Sequence, residues 1–422
     1  MFRRSLAALL LCVLCLGAVC PPAAAYSVLS HEQVIDMAWN DSIAPLLRAR
    51  FPHATPDEIK AAEAYAFGGC VIQDLGYYPF GSTFFSDLVH YVRSGDFVLA
   101  LLKDAQTLNE YAFAVGALAH YVSDIHGHPT VNRAVALEYP KLRRRFGDVV
   151  TYDQAKSAHL ETEFGFDVLQ VAKARYAPKQ YHDFIGFEVA EELLERAFRE
   201  TYGLELKDVM THQDLAVATY RHAVSQTIPH LTQVALATRK PQMMREFKDF
   251  DEKKFLYNLS RADYEKEWGT KYQKPGLGAK ILAFFVRLVP KIGPFRAAKY
   301  RDPTPETENM YFKSMNDTLD HFRARLAELR KGASITLADY DCDTGALARP
   351  GEYARTDRVY DKLLRTLNEQ RFRTLDAPLR ADLLSFFAER TPKDKDTRAA
   401  LARLRQTAAA GAPAVAVEAT KE

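Results

Sequence analysis

A helix that is apolar around its whole circumference has to be buried, and any ionisable side chain it carries must find a partner there. Residues 112–119, Ala-Phe-Ala-Val-Gly-Ala-Leu-Ala, read as such a run, and His120 and Asp124 follow it four residues apart. Four residues advance about 40° around a helix, so the imidazole and the carboxylate point the same way. An unpartnered buried charge costs several kcal/mol. The pair is therefore either a closed hydrogen bond or part of a larger set. His159 and Glu163 repeat the spacing.

Helical periodicity dominates the rest of the chain. His31–Leu47, Pro56–Phe67, Leu108–Val122, Gln154–Ala174, Phe187–Tyr202 and Leu215–Ala237 all carry it, while alternating β-branched strands and solenoid-length repeats are hard to find. The expected fold class is all-α. With 48% hydrophobic and 26% charged residues, the chain is ordinary globular material rather than disordered or collagen-like.

Residues 1–25 have the three parts of a secretory leader: Arg3 and Arg4, an apolar run from Leu6 to Val19, and Ala23-Ala24-Ala25 as a cleavage site. Cleavage there makes Tyr26 the mature N-terminus and predicts a secreted or periplasmic protein. The two leader arginines account for the formal charge of +2, so the mature protein is near neutral and its global charge gives no reason to expect nucleic acid. Three of the five cysteines leave with the leader. Cys70 and Cys342 remain, as two buried thiols or one bridge.

Composition shifts along the chain. Residues 26–165 hold 17 acidic and 11 basic side chains, whereas 268–301 hold eight basic residues and no acidic one. This divides the chain into a domain over 26–240 and a helical C-terminal region over 241–406. An Ala-rich tail over 407–422 lacks any core pattern. The basic apolar segment 268–301 reads either as a packed helix or as a surface that lies on anionic membrane. It is too short and interrupted to span one. The runs Asp341-Cys-Asp-Thr-Gly345 and Pro350-Gly-Glu-Tyr353 read as ordered turns without chemistry.

Seven of the twelve histidines fall between Tyr26 and Glu163. The two histidine–carboxylate pairs, joined by His31, Asp74, His90 and His128, suit a metal with nitrogen and oxygen ligands, above all zinc. In this order, behind a cleavable leader, the residues resemble the zinc-dependent phospholipase C family. That family is related to the single-strand-specific zinc nucleases and to the catalytic domain of glycosylphosphatidylinositol-specific phospholipase D. The resemblance covers residues 26 to about 200.

The resemblance implies an all-helical secreted phosphodiesterase with three zinc ions. One would be held by Asp74, His90, His120 and Asp124, and a second by His128, His159 and Glu163. The third would take the free amine and carbonyl of Tyr26 together with His31 and Asp124. Asp74 would also serve as the base that orients attacking water. The family's mature chains typically begin with Trp where this one has Tyr26. The four-residue step from Asp124 to His128 is shorter than in the small phospholipases, which leaves His126 as an alternative to His128.

Five aromatics, Tyr77, Tyr78, Phe80, Phe84 and Phe85, crowd into nine residues after Asp74. They read as a headgroup or acyl-glycerol wall, as a base-stacking platform, or as core packing. Apart from Arg143-Arg144-Arg145 the region is acidic, which favours a phospholipid substrate over nucleic acid. The expected activity is hydrolysis of the glycerol–phosphate ester bond of phospholipids by metal-activated water. A zinc nuclease or nucleotidase, or a non-catalytic zinc-bearing protein at a membrane, are the alternatives.

Overall fold

The computed structural model describes residues 28–172, 186–224 and 301–410. The described residues are mainly helical, as expected, with one two-stranded hairpin among them. The leader with Tyr26, the boundary drawn near residue 240 and the basic segment up to residue 300 lie outside the described residues.

The axis of the fold is α6, Leu108–Glu138, which Thr107 and Glu110 start with a reciprocal capping box. Periodicity predicts its end at Val122, yet it runs 16 residues further and passes through Pro129. Across it lies α3, Pro56–Gly69, opened by the same kind of box from Thr55 and Glu58. The two helices cross closely because both present glycine. A Cβ on Gly116 would stand 2.1 Å from the Ala66 carbonyl oxygen, and one on Gly69 2.1 Å from that of Phe113. The close crossing brings the end of α3 at Cys70 beside His120.

Around this pair stand α1 (Val28–Ala38), α4 (Thr83–Tyr91), α5 (Ser94–Asp104), α8 (Lys156–Ala172) and α9 (Glu191–Tyr202). Asp167 on α8 accepts hydrogen bonds from Leu29 N–H (3.2 Å) and Ser30 Oγ (2.8 Å) at the start of α1. A carboxylate at a helix N-terminus satisfies donors that the helix cannot. This contact fixes the helix that carries His31.

The C-terminal elements are built into the same core. Helix α12 (Pro305–Arg330) lies along α6, and Tyr311, Leu319, Phe322 and Leu326 join the apolar cluster of the N-terminal helices. A hairpin of β1 (Tyr340–Asp341) and β2 (Ala346–Leu347) follows. Next come α13 (Ala354–Glu369), α14 (Ala377–Glu389) and α15 (Lys395–Ala410), the last running into the stretch read as tail. Cys70 and Cys342 are separate buried thiols.

Glu138, at the end of α6, ties three helices together. It accepts from Thr162 Oγ1 on α8 (3.1 Å) and Thr307 Oγ1 on α12 (2.8 Å), and burial raises its carboxyl from 4.5 to about 7 despite both hydrogen bonds. The folded protein thus keeps a proton that the unfolded chain has lost. Stability from this group is full below about pH 4.5 and declines as pH rises through about 7. Urea midpoints across that window should fall less steeply for Glu138→Gln than for wild type, by up to about 1.4 kcal/mol per pH unit. Parallel curves would assign the slope to other groups.

Candidate metal centre

Five histidines and four carboxylates meet inside this bundle, each at most 6% exposed: His31, His90, His120, His128, His159, Asp74, Asp124, Glu163 and Asp343. They come from separate elements. His31 is on α1, Asp74 in the short 3₁₀ segment Ile72–Tyr77, His90 on α4, and His120, Asp124 and His128 on α6. His159 and Glu163 are on α8, and Asp343 is in the loop of the hairpin. Three groups have donor atoms close enough for one ion: His31–His120–Asp124, Asp74–His90–His120 and His128–His159–Asp343.

Backbone carbonyls set the imidazole orientations. His90 Nδ1 lies 2.7 Å from the Ser86 carbonyl one turn back, and His120 Nδ1 lies 2.9 Å from the Cys70 carbonyl. Each ring donates through Nδ1, which leaves each Nε2, when it carries no proton, as an acceptor. These two Nε2 atoms face each other at 3.2 Å, and each stands 3.2 Å from Asp124 Oδ2. Asp74 Oδ1 is 3.6 Å from His90 Nε2, and Asp124 Oδ1 is 3.6 Å from His31 Nε2. The ring of His31 stacks on that of His120 at 4.2 Å.

A set of lone pairs converging in this way repels itself unless a proton or a cation stands among them. Neither oxygen of Asp74 or Asp124 has a hydrogen-bond partner, and nor has His128 Nδ1. His159 Nδ1 and Glu163 Oε1 approach to 2.7 Å without hydrogen-bond alignment. Native interiors rarely leave so many polar atoms unsatisfied. The donors are imidazole nitrogens and carboxylate oxygens with outer partners already in place, which is the composition a zinc site requires.

Proton affinities in the cluster are split by its charges. Burial raises the Asp124 carboxyl, but the neighbouring His120 outweighs it and holds that carboxyl well below the usual range. Burial opposes protonation of His120, yet Asp124 carries it up to about 9. Burial lifts Asp74 to about 6 and, with Asp343 nearby, lifts Glu163 well above its ordinary value. Burial lowers His31 and brings His159 down to about 3.

The described residues of the expected ligand set all lie in this cluster, and Tyr26 lies outside the description. His128 rather than His126 faces it, since His126 stacks on His321 at 4.1 Å. The turn around Asp343, expected to carry no chemistry, brings its carboxylate to 3.4 Å from His128 Nδ1. The only local signal was the Asp-Cys-Asp-Thr-Gly run, which resembles any tight turn. Of the five aromatics, Tyr78 and Phe85 pack on Tyr220 and Phe198, Phe84 is buried, and Phe80 is exposed. Tyr77 remains beside the site, 6.3 Å from the His90 ring.

A cation stands close by. The buried Arg355 of α13 pairs with Asp87 at 2.6 Å and lies over the rings of Tyr91 and Tyr152 at 5.1 and 5.0 Å. Those rings stand 6.0 Å from His90 and 5.6 Å from His159, and Arg355 Nη1 has no hydrogen-bond partner.

Residues 30–212 match the family model described as zinc dependent phospholipase C. That span contains the whole cluster except Asp343. No curated protein and no solved structure matches the chain.

His120 belongs to two of the three groups, so its loss should empty more of the centre than the loss of His128. Elemental analysis of His120→Ala should return fewer zinc ions per chain than that of His128→Ala, both below wild type. Full zinc content in His120→Ala would show that these groups do not hold metal.

Proposed function

The chain belongs to the zinc-dependent phospholipase C family, and we propose that it hydrolyses the glycerol–phosphate ester bond of phospholipids at a centre of three zinc ions. The observation that carries this reading is the set of buried Asp74, Asp124 and His128 donor atoms without hydrogen-bond partners, brought together from α6 and the 3₁₀ segment Ile72–Tyr77. Asp74, His90, His120 and Asp124 would hold one ion, His128, His159 and Glu163 a second, and His31 with Asp124 and the mature N-terminus a third. Bound zinc supplies Lewis acidity toward a phosphoryl oxygen and acidifies water near it.

The protein's own groups do the rest. Asp74, fully buried among the cluster's imidazoles, is placed to orient a water molecule and accept its proton. Arg355 offers an unpaired Nη1 to a phosphate oxygen, and the aromatic rings beneath it keep water from screening its charge. Tyr77 borders the Asp74–His90–His120 group and is placed to contact the headgroup or the glycerol stem.

Metal-replete protein should release phosphorylated headgroup from phosphatidylcholine or phosphatidylinositol vesicles and leave single-stranded DNA intact. Cleavage of the DNA with no lipid turnover would replace this reading with a nuclease.

Leader removal is part of the same proposal, because the third ion uses a free amine. Exported protein should begin at Tyr26 by mass spectrometry, and an extra residue before Tyr26 should lower zinc content. Unchanged zinc with a blocked N-terminus would remove the amine from the ligand set.

A further inference from the structure

The hairpin loop that carries Asp343 is held against the metal centre from every side. Cys342 N–H donates to the His90 carbonyl at 3.1 Å. Ser94 Oγ bonds the Tyr340 carbonyl at 2.7 Å, and Asp339 Oδ1 accepts Gly95 N–H and Asp96 N–H at 3.0 and 3.1 Å. Inside the loop, Asp341 Oδ1 accepts Asp343 N–H and Thr344 N–H at 3.0 and 3.2 Å. Gly345, at φ +67°, lies against α6 so closely that a Cβ there would stand 2.5 Å from the Ile125 carbonyl oxygen. That carbonyl is one that Pro129, lacking an N–H, leaves without its helical partner.

The side chain of Asp343 is as fixed as its backbone. It is fully buried. Oδ2 accepts the Tyr353 hydroxyl, and Oδ1 accepts Tyr152 N–H at 3.3 Å. Oδ1 also stands 3.4 Å from His128 Nδ1, a buried nitrogen with no hydrogen-bond partner. Asn132 links the two halves, lying 2.8 Å from His159 Nε2 through its side-chain oxygen and donating to the Asp343 carbonyl at 2.7 Å.

From this geometry we infer that Asp343 is a protein ligand of the metal that His128 and His159 hold, so that the C-terminal hairpin completes the centre. A buried carboxylate needs a cation or several donors. The Tyr353 and Tyr152 donors steady this one as outer partners steady a ligand, and they leave Oδ1 facing His128. The inference rests on the zinc-dependent reading. It goes beyond it, because the residue lies outside the segment 30–212 and alters the set of His128, His159 and Glu163 at that ion.

The test uses the full-length chain in three forms, wild type, Asp343→Asn and Tyr353→Phe, equilibrated in buffers of defined free zinc. Zinc per chain is measured in each, along with the visible spectrum after cobalt substitution. Asp343→Asn should lose about one equivalent and require more than 100-fold higher free zinc to regain it. Losing an outer hydrogen-bonding partner typically costs 10–100-fold. Tyr353→Phe should stay within that lower range and keep the wild-type cobalt spectrum, whereas Asp343→Asn should change it. Asp343→Glu, which keeps a carboxylate, should recover the equivalent even where Asp343→Asn folds poorly.

Wild-type affinity and spectrum in Asp343→Asn would overturn the assignment, as would a loss no larger than that of Tyr353→Phe or a failure of Asp343→Glu to recover the metal. A wild-type protein that binds no zinc would instead overturn the zinc-dependent reading itself.

Discussion

Burying five histidines and four carboxylates in one place is the constraint to which the rest of the structure answers. Desolvated histidines and carboxylates are tolerated only when each is oriented by a fixed partner. The partners here are structural carbonyls and amides: the Ser86 carbonyl on α4, the Cys70 carbonyl at the end of α3, and Asn132 on α6. Each occupies one side of an imidazole and turns the other side inward. The glycine-lined crossing of α3 and α6 therefore does more than pack a core. It sets where the Cys70 carbonyl stands, and with it the direction of His120 Nε2.

The same burial explains what was legible in the chain and what was not. The pairs His120–Asp124 and His159–Glu163 were visible because the helix itself brings them together. The end of α6 was not, because Ser123, Asp124, His126 and His128 interrupt its apolar pattern just where the site begins. Asp124 and His128, which a core would exclude, face the buried cluster, so the periodicity that marks a helix fades where the cluster begins. Pro129 adds a second misleading stop signal. The helix continues because α8, α12 and the hairpin pack around its far half.

Asp343 was unreadable for a different reason. Nothing local distinguishes its turn from a solvent-facing one, and its partners His128 and His159 lie some two hundred residues earlier in the sequence. Contacts of that separation leave no periodic trace. Composition is equally silent on packing. The contrast between the acidic segment 26–165 and the basic segment 268–301 divides the chain near residue 240, outside the described residues, while the described helices on either side share one apolar core.

A shared core and a shared ion act on one equilibrium. With Asp343 in the coordination set, the ion binds the assembled state better than any state in which the hairpin has left α6. By mass action such a ligand stabilises the assembled state by about 2.7 kcal/mol when free metal is a hundred times its dissociation constant. The dependence runs both ways, since whatever holds the hairpin also raises affinity for the ion. The contacts that fasten it are Cys342 on His90, Asp339 on the start of α5 and Gly345 on the carbonyl freed by Pro129. Residues that never touch a metal thus belong to the centre, because they set the position of the Asp343 carboxylate that reaches it.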